Sequence, residues 1–446
     1  MPVTLGTNIC NILFQRGVVH APDPLSRRKK RGLKGHPARN RNRGTSMLNK
    51  TLTLAVAAST LIMAAPALAQ EVKLGFLADV TGPIAGFAPG MVDAGNLAIA
   101  NVNDQGGILD GQTLTSVLAD SACDGGAAGP AADRLVNAEN VTAIFGGYCS
   151  GATIAGANGS AIPGNVVMIS PASTAPAVAE LADNDLVFRN VVPDSIQGVK
   201  AAELLLAQGV TEVGVTYVNN DYGSGLAGAF SDAFAAGGGT VLASVAHEDG
   251  KADYRPEIGQ IEASGATTLV IYGYENAGGG AILNQAVEAG SFDLFMGGDG
   301  MAGDALLASR NGADLEGMIL TQAAPAEGPA FDALSALTSA AGQDVNGTYV
   351  TNSYDAVFLL ALAIEKNGSA EREGVSAALR EISNAPGETI LPGEWSKAKE
   401  LIAAGTDINY EGASGSIEFD DVGDVAGAIN YFVVEGGAVV NKGLID

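Results

Sequence analysis

The chain has 446 residues, 47% of them hydrophobic, enough for two to four domains with sizeable cores; this excludes a disordered polymer and a small disulfide-stapled scaffold. Its formal charge of −25 is unevenly spread, because residues 1–46 carry ten Lys and Arg against one acid, Asp23. With Lys50, eleven of the 24 cations precede residue 70, leaving 13 against 48 acids: a charge of −35 on the remainder, which repels DNA, RNA and anionic lipid.

Residues 1–46, with the run Arg27-Arg28-Lys29-Lys30-Arg31, admit a nucleic-acid or membrane-binding arm or a twin-arginine export signal. The simpler reading is a non-native extension ahead of a start at Met47, which removes Cys10 from the chemistry. Residues 47–69 read as a secretory signal peptide: Lys50, an apolar run from Leu52 to Met63, then small residues ending Ala67-Leu68-Ala69. That run is short for about 30 Å of hydrocarbon. No Cys follows Ala69, so the expected product is a soluble periplasmic monomer without a lipid anchor. Cys123 and Cys149 remain, and an even count in an exported chain argues for a disulfide, which by loop entropy would contribute roughly 3–4 kcal/mol.

Strand-like runs then alternate with helix-length segments, the signature of an α/β architecture with largely parallel sheets. Val72–Leu77, Leu114–Ala119, Val141–Phe145 and Val166–Ile169 are predicted strands; Met91, Ala94, Ala98 and Val102 keep helical spacing between them. A second series has strands at Val213–Val218, Val241–Val245, Thr268–Tyr272 and Met318–Thr321. Two such series predict two doubly wound, Rossmann-like lobes with a ligand between them. Helix is expected around Val357–Ile364, and Pro386–Asp424 is rich in Gly, Pro and acids.

Candidate chemistry gathers where strands end. Phe145-Gly-Gly-Tyr-Cys149-Ser150-Gly151 passes from strand to helix start, where unpaired N–H groups and the Ser150 hydroxyl could cradle a carboxylate or phosphate; an ordinary N-cap is the plainer reading. Ser170-Pro171-Ala172-Ser173-Thr174 follows the next strand. In the second series Asp221-Tyr222-Gly223, Tyr272-Gly-Tyr274-Glu275 and Gly297-Gly298-Asp299-Gly300 hold corresponding places, and Asp299 is suited either to an ammonium group or to an Asx-turn.

The ordered set Gly82-Pro83-Ile84, Asn103-Asp-Gln-Gly-Gly107, Ala122-Cys123-Asp124, Cys149-Ser150, Ile169-Ser-Pro-Ala172-Ser-Thr174, Tyr222-Gly223 and Phe295-Met-Gly-Gly-Asp299-Gly resembles the leucine/isoleucine/valine-binding protein family, substrate-binding components of ABC importers for amino acids, over essentially all of residues 71–446. The resemblance implies a type I periplasmic-binding fold with a three-strand hinge, with residues 71–190 and 323–425 in one lobe and 191–322 and 426–446 in the other. It implies that Ser150, Ala172, Ser173 and Thr174 form the carboxylate site and that Asp299 receives the α-ammonium. Tyr222 and Phe87 become aromatic walls, Cys123 and Cys149 the disulfide pair, and a membrane permease the partner, with no cofactor or metal.

One position departs from that pattern. Glu275 stands where branched-chain binders carry a tyrosine, and a one-residue shift would put Tyr274 there instead. A Glu275 facing the cleft would favour a ligand with a cationic or amide side chain, or an interlobe Lys/Arg contact; a solvent-facing hinge glutamate is the alternative. The segment Leu391–Phe419 is expected at the rim of the cleft, with Trp395 in a packing role. Two competing functions remain: a soluble sensor of the same fold, and an exported hydrolase using Cys149 or Ser150, for which His247 is the single histidine beyond residue 69.

Overall fold

A computed structural model describes residues 71–445 apart from 304, 305, 308 and 309. The expected extension 1–46 and signal peptide 47–69 lie outside the described residues. β1 (Glu71–Ala78) is buried on both faces over most of its length, as a central parallel strand covered by helices must be. It lies between β2 (Thr113–Asp120) and β3 (Ala143–Gly146), and β4 (Val167–Ser170) and β5 (Val187–Arg189) complete an all-parallel sheet of order β2-β1-β3-β4-β5. The connecting helices are α1 (Ala88–Asp104), α2 (Gly125–Asp133) and α3 (Ser150–Gly156). α1 buries the predicted stripe Met91, Ala94, Ala98 and Val102.

After β5 the chain crosses to a second sheet through α4 (Asp194–Ala207). There β6 (Glu212–Val218), α5 (Asp221–Ala236), β7 (Thr240–His247), α6 (Arg255–Glu262), β8 (Thr268–Tyr272), α7 (Gly278–Ala289), β9 (Leu294–Gly297) and β10 (Ile319–Ala323) repeat the βα alternation. The chain then returns through α8 (Pro329–Ala341) to α9 (Val350–Asn367), which is buried on all sides from Val350 to Ile364 and packs against α1. α10 (Val375–Ser383), β11 (Glu388–Ile390), α11 (Trp395–Ala403), β12 (Ile408–Gly412) and β13 (Gly415–Ser416) follow, and β14 (Ile429–Glu435) and β15 (Ala438–Leu444) rejoin the second sheet, of order β15-β14-β10-β9-β8-β6-β7. β14 and β15 run antiparallel at its edge. β5 and the β14–β15 hairpin have no counterpart in the sequence reading: three residues are too few to show a period, and β15 is largely exposed.

The segment expected at the cleft rim lies elsewhere. Trp395 is buried, donates from Nε1 to the Gly107 carbonyl at 3.1 Å and meets Phe358 of α9 edge-on at 5.9 Å. Asp355 of α9 accepts from Tyr410 Oη, Ser414 N and Ser414 Oγ, each at 2.7 Å. None of the described residues from 386 to 424 lines the cavities that Tyr349, Asp299 and Glu275 border. The segment braces α9, whose apolar surface on every side needs a second cover.

The three crossings lie side by side. Asn190 and Asn352 donate to each other's carbonyls at 2.8 and 2.7 Å, and Ala324 N donates to Ala428 O at 2.9 Å. A side chain on Gly427 would meet Val192 Cγ2 at 2.4 Å, so only glycine lets these strands approach. Arg189, 1% exposed, grips Asp424 with Nε and Nη2 at 2.5 and 2.7 Å and donates from Nη1 to the Ala175 carbonyl at 2.7 Å.

His247 ends β7, with Nδ1 2.9 Å from Thr216 Oγ1 and its ring edge-on to Tyr254 at 5.9 Å. Burial holds its pKa down at about 4. In the unfolded chain the ring titrates near the ordinary value of about 6.5, so its share of stability is complete above that value and is lost as pH falls toward 4. Urea denaturation across this window should show a shallower pH dependence for His247→Gln than for the parent; parallel curves would contradict the assignment.

Candidate functional site

The carboxyl ends of the parallel strands of the two sheets face each other, where open α/β sheets bind ligands. From the first sheet, Asp79 follows β1 and its buried carboxylate accepts from Ser121 Oγ at 2.7 Å and from the backbone N–H groups of Cys123, Tyr148 and Cys149 at 2.6, 2.8 and 3.2 Å. Burial raises its pKa and these four donors oppose the rise. The carboxylate thus fixes both ends of the Cys123–Cys149 disulfide, whose Cα atoms lie 5.2 Å apart. That brace sets the start of α3, where Ser150 Oγ accepts from Ala175 N at 3.2 Å and keeps its own O–H for another acceptor.

From the second sheet, Asp299 follows β9 and is 4% exposed. Its Oδ1 accepts from Tyr222 Oη at 2.8 Å and Gln197 Nε2 at 3.1 Å, and its Oδ2 from Tyr349 Oη at 2.5 Å. Burial pushes its pKa up, and the bonds from Tyr349, Tyr222 and Gln197 pull it back. Tyr222 stacks on Tyr274 with centroids 5.3 Å apart. The Tyr274 hydroxyl accepts from Asn220 Nδ2 at 3.2 Å and lies 3.7 Å from Cys123 Sγ, a contact between the lobes.

These residues enclose a cavity of about 30 Å³. Of the predicted site residues, Phe87, Ser150, Ala172, Tyr222 and Asp299 line it, as does Tyr274. Ser173 does not: its hydroxyl turns back to Thr153 Oγ1 at 2.6 Å and to the Gly147 and Tyr148 carbonyls, fixing the loop instead. Thr174 is buried behind the wall, where its carbonyl accepts from Asp194 N at 2.8 Å. Glu275 is 5% exposed and lines a neighbouring cavity of about 420 Å³ that Phe87 also borders. Tyr274 therefore belongs to the inner cavity and Glu275 to the outer one. A Cβ on Gly303 would come within 2.4 Å of both Phe87 Cε1 and Glu275 Oε1. The Glu275 carboxylate accepts from Asn276 Nδ2 at 3.4 Å, and its charge supports the guanidinium of Arg310 in the same lobe.

Sequence reasoning missed Gln197 and Tyr349, two of the three donors to Asp299. Gln197 lies one turn from Asp194 on α4, a spacing visible in the chain; Tyr349 sits in a left-handed conformation (φ 57°) before α9, with no pattern to mark it. The Cys149 form of the hydrolase alternative loses its thiol nucleophile. Cys149 is in a disulfide, and His247 is bonded to Thr216 in the second sheet.

Two open sheets joined by three crossings, with opposed polar groups between their carboxyl ends, define a two-lobed ligand-binding protein. Residues 71–403 match the family model described as periplasmic binding protein. The chain is 30% identical over 314 residues to the leucine-, isoleucine-, valine-, threonine- and alanine-binding protein of Pseudomonas aeruginosa, covering 70% of this chain and 83% of the relative. It is 30% identical to a Leu/Ile/Val-binding protein of Rhizobium johnstonii, covering 76% and 91%. A leucine-binding protein from Thermotoga maritima superposes with a TM-score of 0.71 at 25% identity, covering 84% and 99%. The chain belongs to the periplasmic binding protein family, in the group of the leucine/isoleucine/valine-binding proteins.

Proposed function

We propose that this protein is the periplasmic substrate-binding component of an ABC importer, taking an α-amino acid of the branched-chain type or a related one into the interlobe cleft and delivering it to a membrane permease. One observation carries the reading: a buried carboxylate, Asp299, and the Ser150 hydroxyl, whose proton is available, line one cavity from opposite lobes. A zwitterion withdrawn from water must be met at both ends, since an unpaired buried charge costs several kcal/mol. Asp299 suits the ammonium, while Ser150 and the backbone beside Ala172 suit the carboxylate. Phe87, Tyr222 and Tyr274 supply the apolar walls.

About 30 Å³ accommodates little more than water, so an amino acid enters by separation of the lobes about the three crossings, and reclosure encloses it. The closed shape is what a permease recognises. The relatives named above are binding proteins, and nothing in this use of the cleft requires a covalent step. A thermal-shift screen of the exported protein against the common amino acids tests the reading: a ligand bound by the folded state alone raises the melting temperature. Branched-chain or related amino acids should give the largest shift, and a flat response across the panel would overturn the proposal.

A further inference from the structure

Asp194 opens α4 at the end of the first crossing and has no exposure to solvent (0%). Among the described residues, none donates a hydrogen bond to either of its carboxylate oxygens. The Thr174 hydroxyl eases its charge without reaching hydrogen-bond geometry, and the Arg189 guanidinium, which also attracts it, is already clamped on Asp424. One helical turn on, Gln197 of the same helix face donates to Asp299, and the Asp299 charge acts on Asp194, so the two carboxylates lie within electrostatic reach of each other. The other titratable groups within that reach are the hydroxyls of Tyr222, Tyr272 and Tyr349, which burial keeps protonated. Two ionised carboxylates so placed repel each other, and Asp194, with no exposure, has no solvent to stabilise its charge.

We propose that Asp194 and Asp299 hold one proton between them in the unliganded protein and that an α-ammonium docking on Asp299 expels it. The inference rests on the amino-acid reading of the cleft. The balance is simple: the carboxyl O–H of the pair breaks, its electrons stay on the oxygen, and the proton leaves to solvent while the ligand nitrogen remains an ammonium. The pair carries one net negative charge before the exchange, from two carboxylates and a proton. It carries one afterwards, from two carboxylates and the ammonium. Docking therefore leaves the net charge at the pair unchanged, whereas retaining the proton would leave the ammonium competing with it for the same oxygens. Where the pair titrates, the association constant rises with pH by up to about tenfold per unit.

Two measurements test this. Infrared spectra of the unliganded protein at neutral pH should show a protonated carboxyl band that Asp194→Asn removes; its absence from the parent overturns the shared proton. Calorimetric titrations of L-leucine, L-isoleucine, L-valine, L-glutamine and L-lysine, each in phosphate and in Tris, count protons released on binding. The parent should release close to one per amino acid bound, whereas Asp194→Asn, a near-isosteric replacement, should bind and release almost none. Binding by the parent with no proton release overturns the exchange. A parent that shows the carboxyl band but binds none of the five overturns the amino-acid reading, and the exchange with it, while leaving the shared proton established.

Discussion

Asp299→Ala should abolish the thermal response to every α-amino acid, with affinity falling by at least a hundredfold, because about 3–5 kcal/mol is lost when one member of a buried charge pair is removed. In this protein Tyr222, Tyr349 and Gln197 all aim donors at Asp299, and none of them is cationic. They hold the carboxylate in place without supplying a positive charge, which on the proposed reading is left to the ligand's ammonium. Asp299→Asn separates the two contributions: it keeps the shape and one acceptor but removes the charge, and should lose nearly as much affinity as the alanine variant. Stability should change much less than binding, since removing a carboxylate that burial penalises offsets the loss of its hydrogen bonds. Isothermal titration and thermal melting of both variants check this, and a retained response in Asp299→Ala contradicts the ammonium assignment.

Arg189→Ala should destabilise the protein by about 3–5 kcal/mol, read as a lowered urea midpoint at unchanged slope. The side chain joins three segments distant in the chain: β5 that carries it, the Ser173–Ala175 loop behind the carboxylate end of the cleft, and Asp424 next to the last crossing. Its removal leaves Asp424 half of a broken pair and the Ala175 carbonyl without its guanidinium donor. Arg189→Lys should recover little, because an ammonium cannot span the two carboxylate oxygens and the carbonyl as the planar guanidinium does. A midpoint within experimental error of the parent for Arg189→Ala would show that the crossings are held by other contacts.

The fold was legible where burial imposes a period. The predicted strands of both lobes lie in the parallel portions of the two sheets, and the stripe Met91, Ala94, Ala98, Val102 is the buried face of α1, because central parallel strands and their covering helices must be apolar in a regular pattern. β5 and the β14–β15 hairpin escaped because a three-residue strand and an exposed edge carry no such signature. Near the cleft, glycine-rich turns marked Ser150 and Asp299 as strand-end positions, and both line the inner cavity, while the choice among their possible roles came from the family resemblance alone. Ser173 shows the limit of that reasoning: a hydroxyl in the right turn can point either way, and here the Gly147 carbonyl and Thr153 draw it inward. Tyr349 reaches Asp299 from a loop fifty residues away, a contact made by tertiary packing alone. The ambiguity between Tyr274 and Glu275 needed coordinates, because adjacent residues after a strand take opposite sides of the wall.

A cleft built as proposed grips both ends of a zwitterion. The measurement that tests this most directly is a calorimetric titration of the amino acid giving the largest thermal shift, beside its deaminated acid and its decarboxylated amine. Binding confined to the intact amino acid, with both analogues weakened by at least a hundredfold, is the predicted result. Comparable affinity for the deaminated acid would contradict it, because Asp299 would then have no cation to receive.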